Sequence, residues 1–153
     1  MTTAAGPSWT RAACGVLLAA WLGAFVHYSL LVTPVLFERF PDRAGDLVAA
    51  LFPGYFRFGI VLGGLAALLA GWHWLATGWS RQRADTWRLV WALVVVVALA
   101  ANAYVVEPLV AAAGPETFGR LHGLSMLLNL VAGVAALAGS WVCFAPPRSL
   151  WRG

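Results

Sequence analysis

The chain has 153 residues, of which 61% are hydrophobic and only 10% are charged. Soluble domains carry roughly 25% charged residues, so the composition argues against a soluble enzyme domain, and disordered chains are poor in apolar residues. The net charge of +4 comes from arginines scattered between apolar runs. This pattern indicates topology signals and lipid contacts, and no nucleic-acid partner.

Four long apolar runs predict an all-α, four-transmembrane-helix bundle. They cover about residues 12–37, 54–79, 87–113 and 121–145. Each run exceeds the roughly 20 residues that cross a bilayer as a helix, and a helix satisfies its own backbone groups in lipid. Short polar segments separate the runs, so residues 1–153 are expected to form one transmembrane domain. The first run is too long for a signal-peptide core and is expected to be retained.

The arginines predict that both termini are cytoplasmic. One side of the predicted topology carries six arginines and a single acidic residue, Asp85. The six are Arg11, Arg81, Arg83, Arg88, Arg148 and Arg152. The other side carries four arginines and five acidic residues. Positive residues favour the inside, which indicates a multi-pass protein of the bacterial inner membrane.

Residues 46–52, which precede Pro53, are expected to form a short helix lying on the outer membrane surface. Its apolar side chains would face lipid: Leu47, Val48, Leu51 and Phe52.

Small residues predict close helix contacts. Gly59 and Gly63 are four residues apart on helix two, and Ala20, Gly23 and His27 share one face of helix one. Cys14 and Cys143 are expected to be small buried hydrophobes, because no zinc-ligand spacing surrounds them.

The two halves of the chain resemble each other weakly. Helix one ends near Pro34, and helix three ends near Pro108. A duplicated helical hairpin predicts a pseudo-two-fold axis along the membrane normal. The alignment matches Thr33 with Glu107 and Arg57 with His122; the alternative is chance similarity among apolar segments.

Polar residues inside the apolar runs are the candidate functional residues, because ionisable groups in a membrane are costly. By depth, they gather in the outer half of the bundle, with His73 as an exception near the inner interface. The outer set is His27, Arg57, Asn102, Glu107, His122 and Asn129. Helical spacing places Ser125 and Met126 on the same face as His122 and Asn129, which predicts that this face points into the bundle.

Three uses of this cluster remain open. His27 and His122 could ligate haem iron or copper, with Met126 as a soft ligand suited to Cu(I). The side chains could instead form a structural hydrogen-bond network between helices, or line an ion, proton or solute pathway. Glu107 is either an interfacial carboxylate or a partner of Arg57 or Arg120. No nucleophilic triad or phosphate loop occurs, so no catalytic residue is assigned.

Three segments carry a family resemblance: residues 34–37, the pairs 44–45 and 51–52 that precede 55–56, and residues 121–130, of which the block 122–130 is the strongest part. They resemble a bacterial domain of unknown function related to the eukaryotic transmembrane protein 205 family. This resemblance implies no established activity. More distantly, the chain is similar to copper-resistance protein D and to bacterial haem-binding protoporphyrinogen oxidase, in which a histidine on the first helix serves haem. His27 would match that histidine, but the oxidase also uses a lysine, and this chain has none.

We therefore expect an integral membrane protein, in contact with the lipid bilayer, with an outward-facing polar and histidine cluster. Its expected role is non-enzymatic: handling copper or haem b, or serving as a subunit of a larger membrane complex. Its small-residue faces are compatible with a homo-oligomer. The alternative is a haem-dependent membrane oxidoreductase.

Overall fold

The computed structural model describes residues 8–78 and 83–145. Within these residues there are four long helices and no strands. Helix α1 joins an α-helix (Ser8–His27), a π-helical turn (Tyr28–Val32) and a second α-helix (Thr33–Arg39); α2 is Ala44–Thr77. Helix α3 joins Arg83–Ala101, a π-helical turn (Asn102–Val106) and Glu107–Ala111; α4 is Pro115–Phe144.

All four helices are long and apolar enough to cross a membrane. Their candidate spans contain 29 to 34 residues, whereas about 20 cross the hydrocarbon layer. The predicted four-helix membrane bundle is confirmed, and the lipid bilayer is its environment.

The separate surface helix expected over residues 46–52 is wrong. These residues are the first turns of α2, which continues without a break through Pro53. Val48 is buried, and its carbonyl accepts a hydrogen bond of 3.3 Å from the Tyr28 hydroxyl. This contact with α1 packs the segment against the bundle, so Val48 does not face lipid.

The helices form a ring in chain order. Each packs against its neighbours in sequence, and α4 closes the ring against α1. We call the end with residues 40–43 and 112–114 the outer end, following the arginine distribution, and the opposite end the inner end. Three arginines of that distribution, Arg81, Arg148 and Arg152, lie outside the described residues.

The interior is built from small residues, and many large apolar side chains face outward. Buried alanines recur on α2, α3 and α4, while Leu68 and Trp141 are 72% and 75% exposed. This distribution is typical of membrane bundles, where lipid receives the large apolar groups and small residues let helices approach.

The predicted contact at Gly59 and Gly63 is confirmed. A Cβ on Gly59 would lie 2.6 Å from Leu99 Cδ1 and 2.8 Å from the ring of Trp21. A Cβ on Gly63 would lie 3.1 Å from the side chain of Val95. Both glycines therefore sit where another helix packs directly against α2.

The inward face of α1 differs from the predicted one. Ala20, Gly23 and His27 are exposed, whereas Leu18 and Trp21 are completely buried. The bulky face of α1 packs inward because α2 and α4 supply the small residues that make room for it.

The irregularities of α1 and α3 support the predicted duplication. The two π-helical turns begin at Tyr28 and Asn102, 74 residues apart. Each is followed by one residue and then a proline, Pro34 or Pro108. Proline cannot donate a backbone hydrogen bond. The same departure from α-helical bonding therefore occurs just before the proline in each half of the chain.

The same 74-residue register relates two packing contacts. Gly59 lies against Leu99, and its counterpart Gly133 lies against Phe25, the counterpart of Leu99. This register supports the match of Thr33 with Glu107. It pairs Arg57 with Val131, not with His122, so the second match in the sequence alignment is not supported.

Candidate functional site

The predicted metal or haem ligands are exposed or partly exposed on α1 and α4. His27 is exposed, and Met126 is 63% exposed. The ring of His122 stacks on Phe118 with centroids 5.5 Å apart. Among the described residues, no group of three or more His, Cys, Asp or Glu side chains could hold a metal ion. A haem or copper site at these positions stays a prediction.

Two other members of the predicted outer set, Asn102 and Glu107, meet Ser125 at the α3–α4 contact. The Ser125 hydroxyl donates a hydrogen bond of 2.7 Å to Glu107 Oε1. The Asn102 amide donates one of 3.0 Å to the backbone carbonyl of Ser125. Asn102 is completely buried, and its Oδ1 has no partner among the described residues. We call these three residues the outer network.

The π-helical turn explains why Asn102 and Glu107 both form hydrogen bonds with Ser125. The backbone N–H of Glu107 donates to the carbonyl of Asn102, five residues earlier. This wider spacing brings both residues to the α4 side, where Ser125 contacts each of them. Single π-helical turns within α-helices are frequent at functional sites.

A second polar contact lies among aromatic rings. The Tyr55 hydroxyl donates to Asn129 Oδ1 at 3.0 Å. The Tyr55 ring also packs on Tyr28 and Trp21, with centroids 4.6 and 4.8 Å away. Tyr55 and Asn129 are 74 residues apart, so the same register that relates the two π-helical turns makes them counterparts.

A cleft of about 330 Å³ lies between α2 and α3 toward the outer end. We call it the outer cleft. Its only charged lining residues are Arg57 and Glu107, and these two form no ion pair in the described part of the chain. The other lining residues are apolar or aromatic: Ala49, Phe52, Pro53, Phe56, Ala103, Tyr104, Pro108 and Ala111.

The outer cleft opens sideways from the bundle. Pro53, Arg57 and Pro108 are exposed, and Tyr104 is 67% exposed. The Glu107 carboxylate is half-buried and is held from behind by Ser125. A fixed carboxylate in an apolar wall can bind and orient a polar group, whereas the cleft contains no nucleophile with an adjacent base for covalent chemistry.

A buried ionic cluster at the inner end was missed by the sequence analysis. His73 Nε2 lies 3.4 Å from Asp85 Oδ1, and Arg88 also binds that carboxylate oxygen. On its other side, His73 Nδ1 lies 3.0 Å from the Thr10 hydroxyl. These four residues, the inner cluster, join α1, α2 and α3. The signal was present in the sequence, because Asp85 is the only acidic residue on the predicted inner side and stands three residues before Arg88.

Cys14 and Cys143 are both free and buried, as predicted. Both belong to the buried core cluster, to which α1 and α4 contribute them.

The family comparison covers most of the chain. Residues 16–119 match the family described as a domain of unknown function, DUF4149. The chain belongs to this family. The match includes Arg57, Asn102 and Glu107, but it ends before the block 122–130 that carried most of the resemblance. Neither a curated protein nor a solved structure matches the chain.

Membership of the family confirms the expected resemblance to an uncharacterised domain. The relation to the transmembrane protein 205 family stays a prediction, as do the more distant similarities to the copper-resistance and haem-binding families.

Proposed function

We propose that this chain is a non-enzymatic protein of the bacterial inner membrane that binds an amphipathic molecule in the outer cleft. The observation that carries the proposal is the Glu107 carboxylate, fixed by Ser125 in the wall of a cleft that is otherwise mostly apolar. A carboxylate within an apolar run of a membrane protein is costly and marks a functional site by default.

The shape and lining of the outer cleft fit such a ligand. Its volume of about 330 Å³ lies at the lower end of the range for small-molecule sites, roughly 300–1,000 Å³. The apolar part of a ligand would pack on Phe52 and Phe56, while its cationic group would pair with Glu107. The low dielectric constant beside lipid strengthens such a pair relative to water.

Calorimetric titration of the detergent-purified protein with tetraphenylphosphonium, an apolar cation, tests the proposal. We expect the wild type to bind it and Glu107→Gln to bind about tenfold more weakly, since a tenfold change corresponds to about 1.4 kcal/mol for one lost charge pair. Glutamine keeps an oxygen that can accept from Ser125, so the fold should be preserved.

The matched control is Glu116→Gln, which removes an exposed carboxylate at the same end of the bundle and should leave binding unchanged. Equal binding by wild type and Glu107→Gln, or no binding by the wild type, would overturn the proposal.

The hypothesis that His27 and His122 bind haem or copper is tested by measuring the metal and haem content of the purified protein. If His27 and His122 ligate haem or copper, protein from cells supplied with both should contain the metal, and each His→Ala change should remove it while His73→Ala should not. Such a result would replace our proposal with a metal- or haem-handling role, or with the haem-dependent oxidoreductase. No contact of the described residues favours those roles over the cleft.

A further inference from the structure

We infer that the ligand of the outer cleft is a zwitterionic phospholipid, whose ammonium group binds Glu107 and whose phosphate binds Arg57. The inference rests on the proposed function of the cleft. It names the ligand class and gives a role to the second charged residue in the wall.

The first step is the pairing of charges. Glu107 and Arg57 line the same cleft without forming an ion pair with each other. Glu107 engages Ser125, and Arg57 is exposed at the mouth. A ligand that neutralises both groups must present a positive and a negative charge a short distance apart, which is the arrangement in a zwitterionic headgroup.

The second step concerns the depth of Arg57. It lies three residues inside the apolar run that begins at residue 54, between Phe56 and Phe58. An arginine at such depth must reach an interface or a partner, because its charge is costly in hydrocarbon. A phosphate suits the planar guanidinium, which can donate two parallel hydrogen bonds to it.

The third step uses the repeat as an internal comparison. In the half that lacks the charged cleft, Val131 stands at the position of Arg57, and Thr33 stands at the position of Glu107. The neighbouring proline is present in both halves. The fold therefore forms the same helix irregularity without either charge, so the charges serve something other than folding.

The fourth step identifies the source of the ligand. The cleft opens between α2 and α3 toward the surrounding bilayer, and its exposed rim includes Pro53 and Tyr104. Leu51 and Val105, close by in sequence, are also exposed large apolar residues. A lipid can enter from this direction with its chains still in the membrane, whereas a soluble zwitterion gains nothing from the apolar surroundings.

Native mass spectrometry of the detergent-purified protein tests the inference with four defined probes. These are phosphatidylethanolamine, phosphatidylglycerol, a trimethylammonium diacylglycerol analogue without phosphate, and soluble phosphoethanolamine. Phosphatidylglycerol carries only the phosphate, and the trimethylammonium lipid carries only the cationic group. We expect the wild type to retain phosphatidylethanolamine about fivefold better than either of them, because each lacks one exposed charge pair. Soluble phosphoethanolamine should not compete at equal concentration.

The two charge variants should lose different preferences. Arg57→Gln should bind phosphatidylethanolamine and the trimethylammonium lipid equally well. Glu107→Gln should bind phosphatidylethanolamine and phosphatidylglycerol equally well. Arg57→Lys keeps the charge and should retain part of the preference. Arg120→Gln, an exposed arginine outside the cleft, is the matched control and should behave as wild type.

Failure of the inference differs from failure of the proposed function. The wild type could bind the trimethylammonium lipid through Glu107 and bind phosphatidylethanolamine equally well. In that case the phosphate role of Arg57 is wrong and the proposed function stands. Competition by soluble phosphoethanolamine would overturn the choice of a lipid. If no probe shows dependence on Glu107, both fail.

Discussion

Glycines on α2 and α4 receive the bulky side chains of α1 and α3. Gly59 meets Trp21 and Leu99, and Gly133 meets Phe25 with its nearest ring atom 2.8 Å from where a Cβ would stand. The rule that small residues mark helix contacts held for α2 and failed for α1. Each contact needs one small and one large partner, so smallness alone does not tell which face of a helix is the inner one.

Replacing Gly59 should destabilise the bundle. Gly59→Leu places a side chain where Leu99 and the completely buried Trp21 already lie, and overpacking of this kind costs about 1–3 kcal/mol. We expect a lower thermal midpoint in detergent, measured by circular dichroism. Gly64→Leu is the matched control, because nothing lies within 4 Å of a Cβ at Gly64. Equal midpoints for the two variants would contradict this packing.

The members of the outer network can be listed from residue counting and helical spacing, but the contacts between them cannot. Depth along each helix follows from counting residues and groups Asn102 with Glu107, while helical spacing adds Ser125 through its face on α4. Which side chains meet depends on how each helix is rotated about its axis. For α1 that rotation was misjudged, and on α4 the predicted inward face splits, since Ser125 is buried whereas Met126 is exposed.

At the scale of the helices, hydropathy predicts that a span exists better than it predicts where the span ends. Helix α2 begins ten residues before its predicted start at residue 54. The extra turns carry Asp46 and continue the same helical hydrogen bonding, which hydropathy does not register. The π-helical turns were also invisible to hydropathy, because they change the hydrogen-bond spacing and not the apolar character.

Removing the Asp85 carboxylate of the inner cluster should lower the stability of the contact between α1, α2 and α3. Asp85→Asn leaves the buried Arg88 without a countercharge, and breaking a buried ion pair in this way costs about 3–5 kcal/mol. Thermal unfolding in detergent should show a marked fall in the midpoint. Asp42→Asn, in the exposed loop between α1 and α2, removes the same charge and should have little effect. An unchanged midpoint for Asp85→Asn would mean that the inner cluster contributes nothing to stability.

At the scale of the whole molecule, four helices in a ring place the start of α1 and the end of α4 on one side. The arginine distribution predicts that this side is the cytoplasm. A reporter that is active only in the periplasm, fused after Gly153, should therefore be inactive, while the same reporter inserted between Asp42 and Arg43 should be active. The opposite pattern would reverse the orientation and move the outer cleft to the cytoplasmic leaflet.

The 74-residue repeat also bears on how a bundle of this size can evolve. In a dimer of identical hairpins, each mutation appears twice, so a charged cleft would impose its cost of membrane insertion in both subunits. When the two hairpins are joined in one polypeptide, a mutation alters one half alone. The half with Thr33 and Val131 can then stay apolar while the other carries Glu107 and Arg57. A fusion of two such hairpins would therefore let the molecule keep one polar cleft where a homodimer would have to keep two.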